Sequence, residues 1–217
     1  EGLRKMGDPN AFARRYYEAG IDEILYMDIV ASLYGRNSLS DILRRTTRDV
    51  FIPITVGGGL RSVEDARDAL ASGADKVAIN TAAIKDRQII SQVAERFGSQ
   101  CMVLSIEAKR HGNRWEAYYD NGREHSGLDV VEWATEGERL GAGEILLTSV
   151  DSEGMRRGMD TELIDRVCRA VSIPVIASGG CAAASHAVAA AAAGASAVAV
   201  AGLLHYGETT VPALKEN

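Results

Sequence analysis

Three carboxylates occupy positions in which they could do acid–base chemistry. Glu107 follows the apolar run of residues 102–106. A charge there is costly unless it is paired or faces an open site, so we interpret Glu107 as a general acid or base. Asp28 follows a similar run, and either contributes to the site or bonds loop amides. Glu153, followed by Gly154, lies in a loop where it either contacts substrate hydroxyls or is a solvated surface charge.

Two glycine-rich turns could bind anions. Gly57-Gly58-Gly59 and Ser178-Gly179-Gly180 each follow an apolar run, and glycine lets backbone N–H groups come close to a phosphate. The next apolar run ends in small residues in both cases. Two copies predict two phosphates and hence an elongated bisphosphate; turns that are merely tight are the alternative. The predicted substrate- and phosphate-binding residues are Asp28, Gly58, Gly59, Asn80, Thr81, Thr148, Glu153, Gly154, Ser178, Gly179, Gly180, Ala201 and Gly202.

The two turns belong to an internal duplication. Ile52-Pro53 recurs as Ile173-Pro174, 121 residues later, and the glycine-rich turns keep the same offset. That period exceeds the roughly 20–50 residues of a solenoid repeat. It indicates a duplicated half-domain, so we expect a site with pseudo-twofold symmetry.

A second group of charged residues lies at the starts of apolar runs rather than at their ends. It comprises Glu23, Lys76 and Glu144, of which Glu23 and Glu144 are related by the duplication. Charges that converge at one end of a sheet are expensive unless they pair. The residues alone favour a structural salt-bridge layer here.

The alternation of apolar runs with amphipathic segments predicts a parallel α/β sheet. The predicted strands are residues 23–27, 52–56, 76–79, 102–107, 144–149, 174–177 and 197–200, with a β-hairpin insertion at 110–122. Four βα units of about 30 residues fill one period, but the first half shows only three strands. The sequence therefore predicts one domain, residues 1–217, that is a (β/α)₈ TIM barrel of two half-barrels, about 1–98 and 99–217. Its first strand is expected before Glu1, and the last helix is expected to be incomplete.

The composition of the chain argues against some classes of function. The net charge of −6 argues against nucleic-acid binding, and no apolar run is long enough to cross a membrane. Cys101, Cys168 and Cys181 are odd in number and widely spaced in apolar contexts, which predicts reduced, buried thiols in a cytoplasmic protein. We expect no metal and no cofactor.

Four stretches carry a family resemblance that extends from Gly7 to the end of the chain. They are Val-Gly-Gly-Gly at 56–59, Ala-Ile-Asn-Thr-Ala-Ala at 78–83, Gly-Ala-Gly-Glu-Ile-Leu-Leu-Thr-Ser at 141–149 and Ile-Ala-Ser-Gly-Gly at 176–180. In them the chain closely resembles the cyclase subunit of imidazole glycerol phosphate synthase, a duplicated half-barrel. The resemblance implies a lyase/cyclase of histidine biosynthesis. It would use ammonia and a phosphoribulosyl-formimino-aminoimidazole carboxamide ribotide to give imidazole glycerol phosphate and aminoimidazole carboxamide ribotide.

The same resemblance implies a partner and changes the interpretation of the charged group. Ammonia would come through the barrel from a glutaminase subunit, a glutamine amidotransferase that forms a heterodimer on the bottom face. Glu23, Lys76 and Glu144 would then form the gate of the ammonia channel, and Asp75 would lie on the rim facing the glutaminase.

The chain departs from the family pattern at its acids. The family uses one aspartate at the end of the first strand, here expected before Glu1, and one at the position of Glu107. Glutamate reaches about 1.5 Å further than aspartate. We expect the 217 residues alone to bind phosphate without turnover. The alternatives are the sister bisphosphate isomerase of the pathway, a related protein of surface-sugar amidation, and an inactive protein that activates a glutaminase.

Overall fold

The structure is a computed structural model that describes residues 7–28 and 39–216. In these ranges short strands alternate with helices. The strands are β1 (Ile24–Met27), β2 (Ile54–Gly57), β3 (Lys76–Ile79), β4 (Met102–His111), β5 (Arg114–Tyr119), β6 (Glu124–Asp129), β7 (Glu144–Ser149), β8 (Val175–Ser178) and β9 (Ala197–Val198). The helices are α1 (Pro9–Glu18), α2 (Leu39–Thr46), α3 (Val63–Ala71), α4 (Thr81–Lys85), α5 (Gln88–Phe97), α6 (Val130–Arg139), α7 (Thr161–Ala170), α8 (Ala184–Ala192), α9 (Gly202–His205) and α10 (Val211–Lys215).

Seven strands form one parallel sheet in the order β1-β2-β3-β4-β7-β8-β9. The central strands are buried on both faces, as strands covered by helices must be. The sheet curls so that its two ends approach each other. On the outside, Lys215 donates to the Gly20 carbonyl and pairs with Asp22, and Tyr16 bonds His205. This is the strand order and curvature of a (β/α)₈ TIM barrel, as the sequence predicted.

Most strand bounds agree with prediction to within two residues, and prolines explain two of the shifts. β2 begins after Pro53 and β8 begins after Pro174, because a proline has no N–H to contribute to the sheet. The prediction was wrong at β4, which continues past Glu107 to His111 because β5 pairs with it in antiparallel fashion. A third antiparallel strand, β6, was not predicted at all.

The 121-residue offset holds in three dimensions. Helix α8 begins and ends 121 residues after α3. Ile24 N–H donates to the Pro53 carbonyl at 3.0 Å, and its mate Ile145 donates to Pro174 at 2.9 Å. Equivalent backbone bonds at equivalent positions show that the two halves share one local architecture.

Two composition-based expectations can be compared with this part of the chain. Cys101, Cys168 and Cys181 are free thiols, as predicted, but each is half-buried, so the prediction that they are buried was wrong. Among the described helices, none combines the length and the apolar character that crossing a membrane would require.

Candidate active site at the carboxyl ends of the strands

Glu107 lies where β4 leaves the parallel sheet, flanked by Thr148 of β7 and Tyr118 of β5. Its Oε2 accepts a 2.6 Å hydrogen bond from the backbone N–H of Gly122. Burial raises the pKa of Glu107; the Gly122 bond opposes this change and the charge of Asp120 adds to it. A half-buried carboxyl that holds its proton more tightly than usual suits proton transfer near neutral pH.

The partner of Glu107 comes from the turn between β5 and β6. Asp120 and Asn121 adopt positive φ angles of 52° and 58°, followed by Gly122 at 71°. This left-handed turn aims the Gly122 N–H at the carboxylate. The predicted hairpin at 110–122 ended at this turn and left out β6, so Gly122 was missed as a site residue, although an Asn-Gly pair is a strong turn signal.

Asn80 and Thr81 attach this hairpin to the end of β3. The Asn80 amide donates to the backbone carbonyls of Ser105 and Tyr118, both at 3.1 Å, and Thr81 Oγ1 accepts from Asp120 N–H. These side chains, predicted to bind phosphate, therefore already have protein partners. What they present to a ligand is the small-residue backbone at the start of α4.

Both glycine-rich turns use backbone conformations that suit glycine. Gly58, Gly59, Gly179 and Gly180 have φ angles of 87°, 71°, 95° and 88°. A Cβ on Gly58 would overlap the Asp28 carbonyl, and one on Gly179 would lie 2.7 Å from the Ser149 carbonyl. Because positions 28 and 149 are related by the duplication, each turn packs against the end of the preceding strand in the same way. This places Asp28 beside the first turn.

The loop that follows β7 covers the second turn. Glu153 is exposed, and its Oε2 would be 3.4 Å from a Cβ on Gly179. Gly154 has a φ of 71°, and Gly158 N–H donates to the Gly180 carbonyl. The structure therefore brings Glu153 against the second glycine-rich turn.

The small residues at the strand end of the second half have nearly the same backbone angles as their mates in the first half. Ala201 has φ −119° and ψ −77°, close to φ −114° and ψ −81° at Asn80. Ala201 and Gly202 carry no polar side chain, so the contacts that Asn80 and Thr81 make in the first half have no counterpart here. Ser178 and Thr148 lie side by side there through the β7–β8 register.

The charged group lies at the opposite, amino-terminal end of the strands. Lys76 Nζ is 2.9 Å from Glu23 and 2.7 Å from Glu144, with all three side chains between 16% and 28% exposed. Burial disfavours the charge on Lys76, but the hydrogen bonds that Lys76 donates to both glutamates, together with their negative charges, outweigh burial and raise the lysine pKa. The three residues form one ion-paired ring, as the sequence analysis expected.

Asp75, predicted as a rim residue, is exposed beside this ring and also has a structural task. Its Oδ2 accepts a 2.8 Å bond from Ile54 N–H at the start of β2. A substitution that removes this acceptor would disturb the sheet as well as the surface.

The chain is similar to known proteins over most of its length. A family model described as "Histidine biosynthesis protein" matches residues 1–210. An "Imidazole glycerol phosphate synthase subunit HisF" from Legionella pneumophila is 66% identical over 181 residues, which cover 83% of this chain and 85% of that protein. Proteins of the same name from Myxococcus xanthus DK1622 and Lactococcus lactis subsp. cremoris MG1363 are 51% and 49% identical, and the matches cover 99% and 100% of this chain and 85% of each relative. The chain therefore belongs to the histidine biosynthesis family and, within it, to the HisF-type cyclase subunits of imidazole glycerol phosphate synthase.

Proposed function

We propose that Glu107 is the general acid–base residue with which this chain cyclises its ribotide substrate. The observation that carries the assignment is its half-buried carboxyl, held by the Gly122 N–H and given a raised pKa. Thr148 and Ser178 lie on the next two strands and offer hydroxyls to the substrate between the phosphate sites. The experiment that tests the assignment is replacement of Glu107, developed in the Discussion.

The substrate is a bisphosphate whose ends bind the two glycine-rich turns. Gly58-Gly59 with Asn80-Thr81 would take one phosphate, and Gly179-Gly180 with Ala201-Gly202 the other. The equivalent backbone of the two turns supports this pairing. We expect the second site to bind more tightly, because Ala201 and Gly202 carry no hydrogen-bonding side chain that competes with the anion for backbone groups.

Titration with inorganic phosphate or sulfate, followed by structure determination, tests this proposal. We expect two anions related by the internal pseudo-twofold axis, with the one at Gly179-Gly180 filling first. An anion at one turn alone, even at saturating concentration, would contradict a bisphosphate substrate while leaving the fold assignment intact.

The amino-terminal end of the barrel is the proposed docking face for a glutaminase. The ring of Glu23, Lys76 and Glu144 would be the gate through which ammonia enters, and Asp75 would contribute to the rim. The printed name of the relatives, a "subunit", supports an assembly with another chain.

Size-exclusion chromatography with a cognate glutaminase should give a 1:1 complex. Asp75→Lys should weaken it, and Asp75→Asn is the matched control, because asparagine keeps an acceptor for Ile54 N–H without the charge. If both variants bind like the wild type, Asp75 is not part of the interface.

The remaining alternatives are separated by turnover. A cyclase consumes ammonia with the ribotide, whereas an isomerase or an inactive activator of a glutaminase does not.

We further propose one domain with half-barrels of about residues 1–98 and 99–217. We place its reaction in the cytoplasm, where three free cysteines would stay reduced.

A further inference from the structure

Three potential metal ligands lie on one face of the antiparallel strands β4, β5 and β6, which together are the hairpin that projects from the barrel. His111 is on β4, Glu116 on β5 and His125 on β6, and their ligand atoms all lie within 4.8 Å of one another. The antiparallel register produces this arrangement. It pairs Lys109 with Glu116 and Tyr118 with His125, so alternate residues of three strands share a face.

The distances match those of a metal site. His111 Nε2 lies 3.5 Å from Glu116 Oε2, and His125 Nδ1 lies 3.4 Å from the same oxygen. Bonds of about 2.0–2.1 Å to a tetrahedral ion place neighbouring ligand atoms about 3.3 Å apart. Each of these two ligand–ligand distances would therefore need to change by only a few tenths of an ångström for an ion to bind.

Glu116 is held with one oxygen turned toward the histidines. Its Oε1 accepts a 2.8 Å bond from Gly127 N–H, which leaves Oε2 directed at the two imidazoles. The side chains of His111 and His125 are 41% and 67% exposed, so an ion can enter from solvent.

We propose that His111, Glu116 and His125 form a binding site for a divalent transition-metal ion of the Zn²⁺ class. Two imidazoles and one carboxylate are a ligand set that such ions favour, whereas Mg²⁺ and Ca²⁺ prefer oxygen alone. A fourth position remains for water. The bound ion joins β4, β5 and β6, and the turn that it steadies is the one that presents Gly122 to Glu107.

A hydrogen-bonded cluster without an ion is the competing explanation. The Tyr118 hydroxyl lies 3.0 Å from His111 Nε2 and 2.9 Å from His125 Nδ1, so it could link the two rings by itself. The two explanations differ in whether the face takes up an ion, which a binding measurement decides.

The experiment uses the protein prepared without a histidine tag and stripped of metal. Competition with a chromophoric chelator should give one Zn²⁺ per chain, and Co²⁺ should give the visible spectrum of a tetrahedral site with nitrogen and oxygen ligands. His111→Gln, Glu116→Gln and His125→Gln should each weaken Zn²⁺ binding at least about 100-fold, since even neighbours of a metal ligand cost 10- to 100-fold. Zn²⁺ should also raise the Tm of the wild type but not the Tm of these three variants.

His186→Asn is the matched control. It removes one imidazole outside the hairpin, yet asparagine can still accept the bond that His186 Nδ1 receives from Ala182 N–H. Wild-type affinity in this variant supports the proposal. The proposal is overturned if the wild type binds less than one Zn²⁺, if the hairpin variants bind like the control, if Mg²⁺ competes equally, or if the Co²⁺ spectrum shows thiolate ligands.

Discussion

Replacing Glu107 by glutamine should abolish turnover without harming the fold. Glutamine keeps an oxygen that can accept the 2.6 Å bond from Gly122 N–H, so the hairpin turn stays in place. It loses the ability to carry a proton. General acid–base catalysis is worth about 10²- to 10⁴-fold, and kcat for ammonia-dependent cyclisation should fall by that factor. Phosphate binding should change by less than about threefold, because the glycine-rich turns are separate from the carboxyl.

The raised pKa of Glu107 fixes the sign of the stability change. Burial disfavours the ionised carboxylate in the folded chain. Its contribution to stability is therefore complete below the unfolded pKa of about 4.3, and it is lost as pH rises through the folded pKa. At pH 7 the glutamine variant lacks this penalty, so its Tm should equal or exceed that of the wild type. The difference should shrink as the pH is lowered toward 4.

The assay measures turnover, phosphate binding and Tm in the same samples, and we expect the glutamine variant to lose turnover while it keeps binding and Tm. The assay uses the protein as its gene encodes it. Glu107→Asp is the second variant: it retracts the carboxyl by about 1.5 Å, which lengthens the 2.6 Å contact with Gly122 beyond hydrogen-bond range. Normal turnover by the glutamine variant would refute the role of Glu107, and a lower Tm at pH 7 would refute the electrostatic argument.

Three further predictions concern the ring, a turn and a helix cap. Lys76→Met leaves Glu23 and Glu144 without their shared cation; we expect about 2 kcal/mol less stability in urea unfolding and weaker glutamine-dependent activity. Gly179→Ala places a Cβ 2.7 Å from the Ser149 carbonyl at φ 95°, which should cost about 2–3 kcal/mol and weaken phosphate binding measured by calorimetry. Ser62→Ala removes the side-chain bond to Asp65 N–H and should cost about 1 kcal/mol by the same unfolding measurement.

Matched variants make these predictions decisive. Gly20 has a similar φ of 85° but no atom within 4 Å of its Cβ position, so Gly20→Ala should cost only about 1 kcal/mol. Equal costs at 20 and 179 would mean that the contact with Ser149 is unimportant. Unchanged stability in Lys76→Met would show that the ring contributes nothing to folding, and unchanged stability in Ser62→Ala would show that solvent replaces the cap.

The fold was predictable because its signals are local or periodic. Ser62 and Asp65, three residues apart at the start of a helix, are a local signal and form a capping box in the structure, and the predicted 121-residue offset recurs in the backbone bonds. Strand β6 was not predictable from periodicity, since its residues Glu124–Asp129 are largely polar and one face is exposed. Such a strand forms because β5 offers it a partner, which is a tertiary effect.

The candidate site was predictable in its types of residue but not in its contacts. The carboxyl ends of strands identify Glu107 and the glycine-rich turns from sequence alone. The bond from Gly122 depends on how the hairpin folds back over β4, and the partners of Asn80 depend on the same hairpin. Both follow from side-chain placement across strands that are distant in sequence.

The two halves keep one backbone while their chemistry has diverged. In the first half, Asn80 and Thr81 attach the strand end to the hairpin, and Ser62 caps the helix that follows the turn. The mate positions in the second half are Ala201, Gly202 and Ala183, none of which carries a polar side chain. In the first half, these polar side chains therefore bond to backbone groups of the protein itself. Through their bonds to the hairpin, Asn80 and Thr81 also help to position Glu107. The second half has no such polar side chains beside its turn, and we expect this difference to let an asymmetric bisphosphate bind in one orientation.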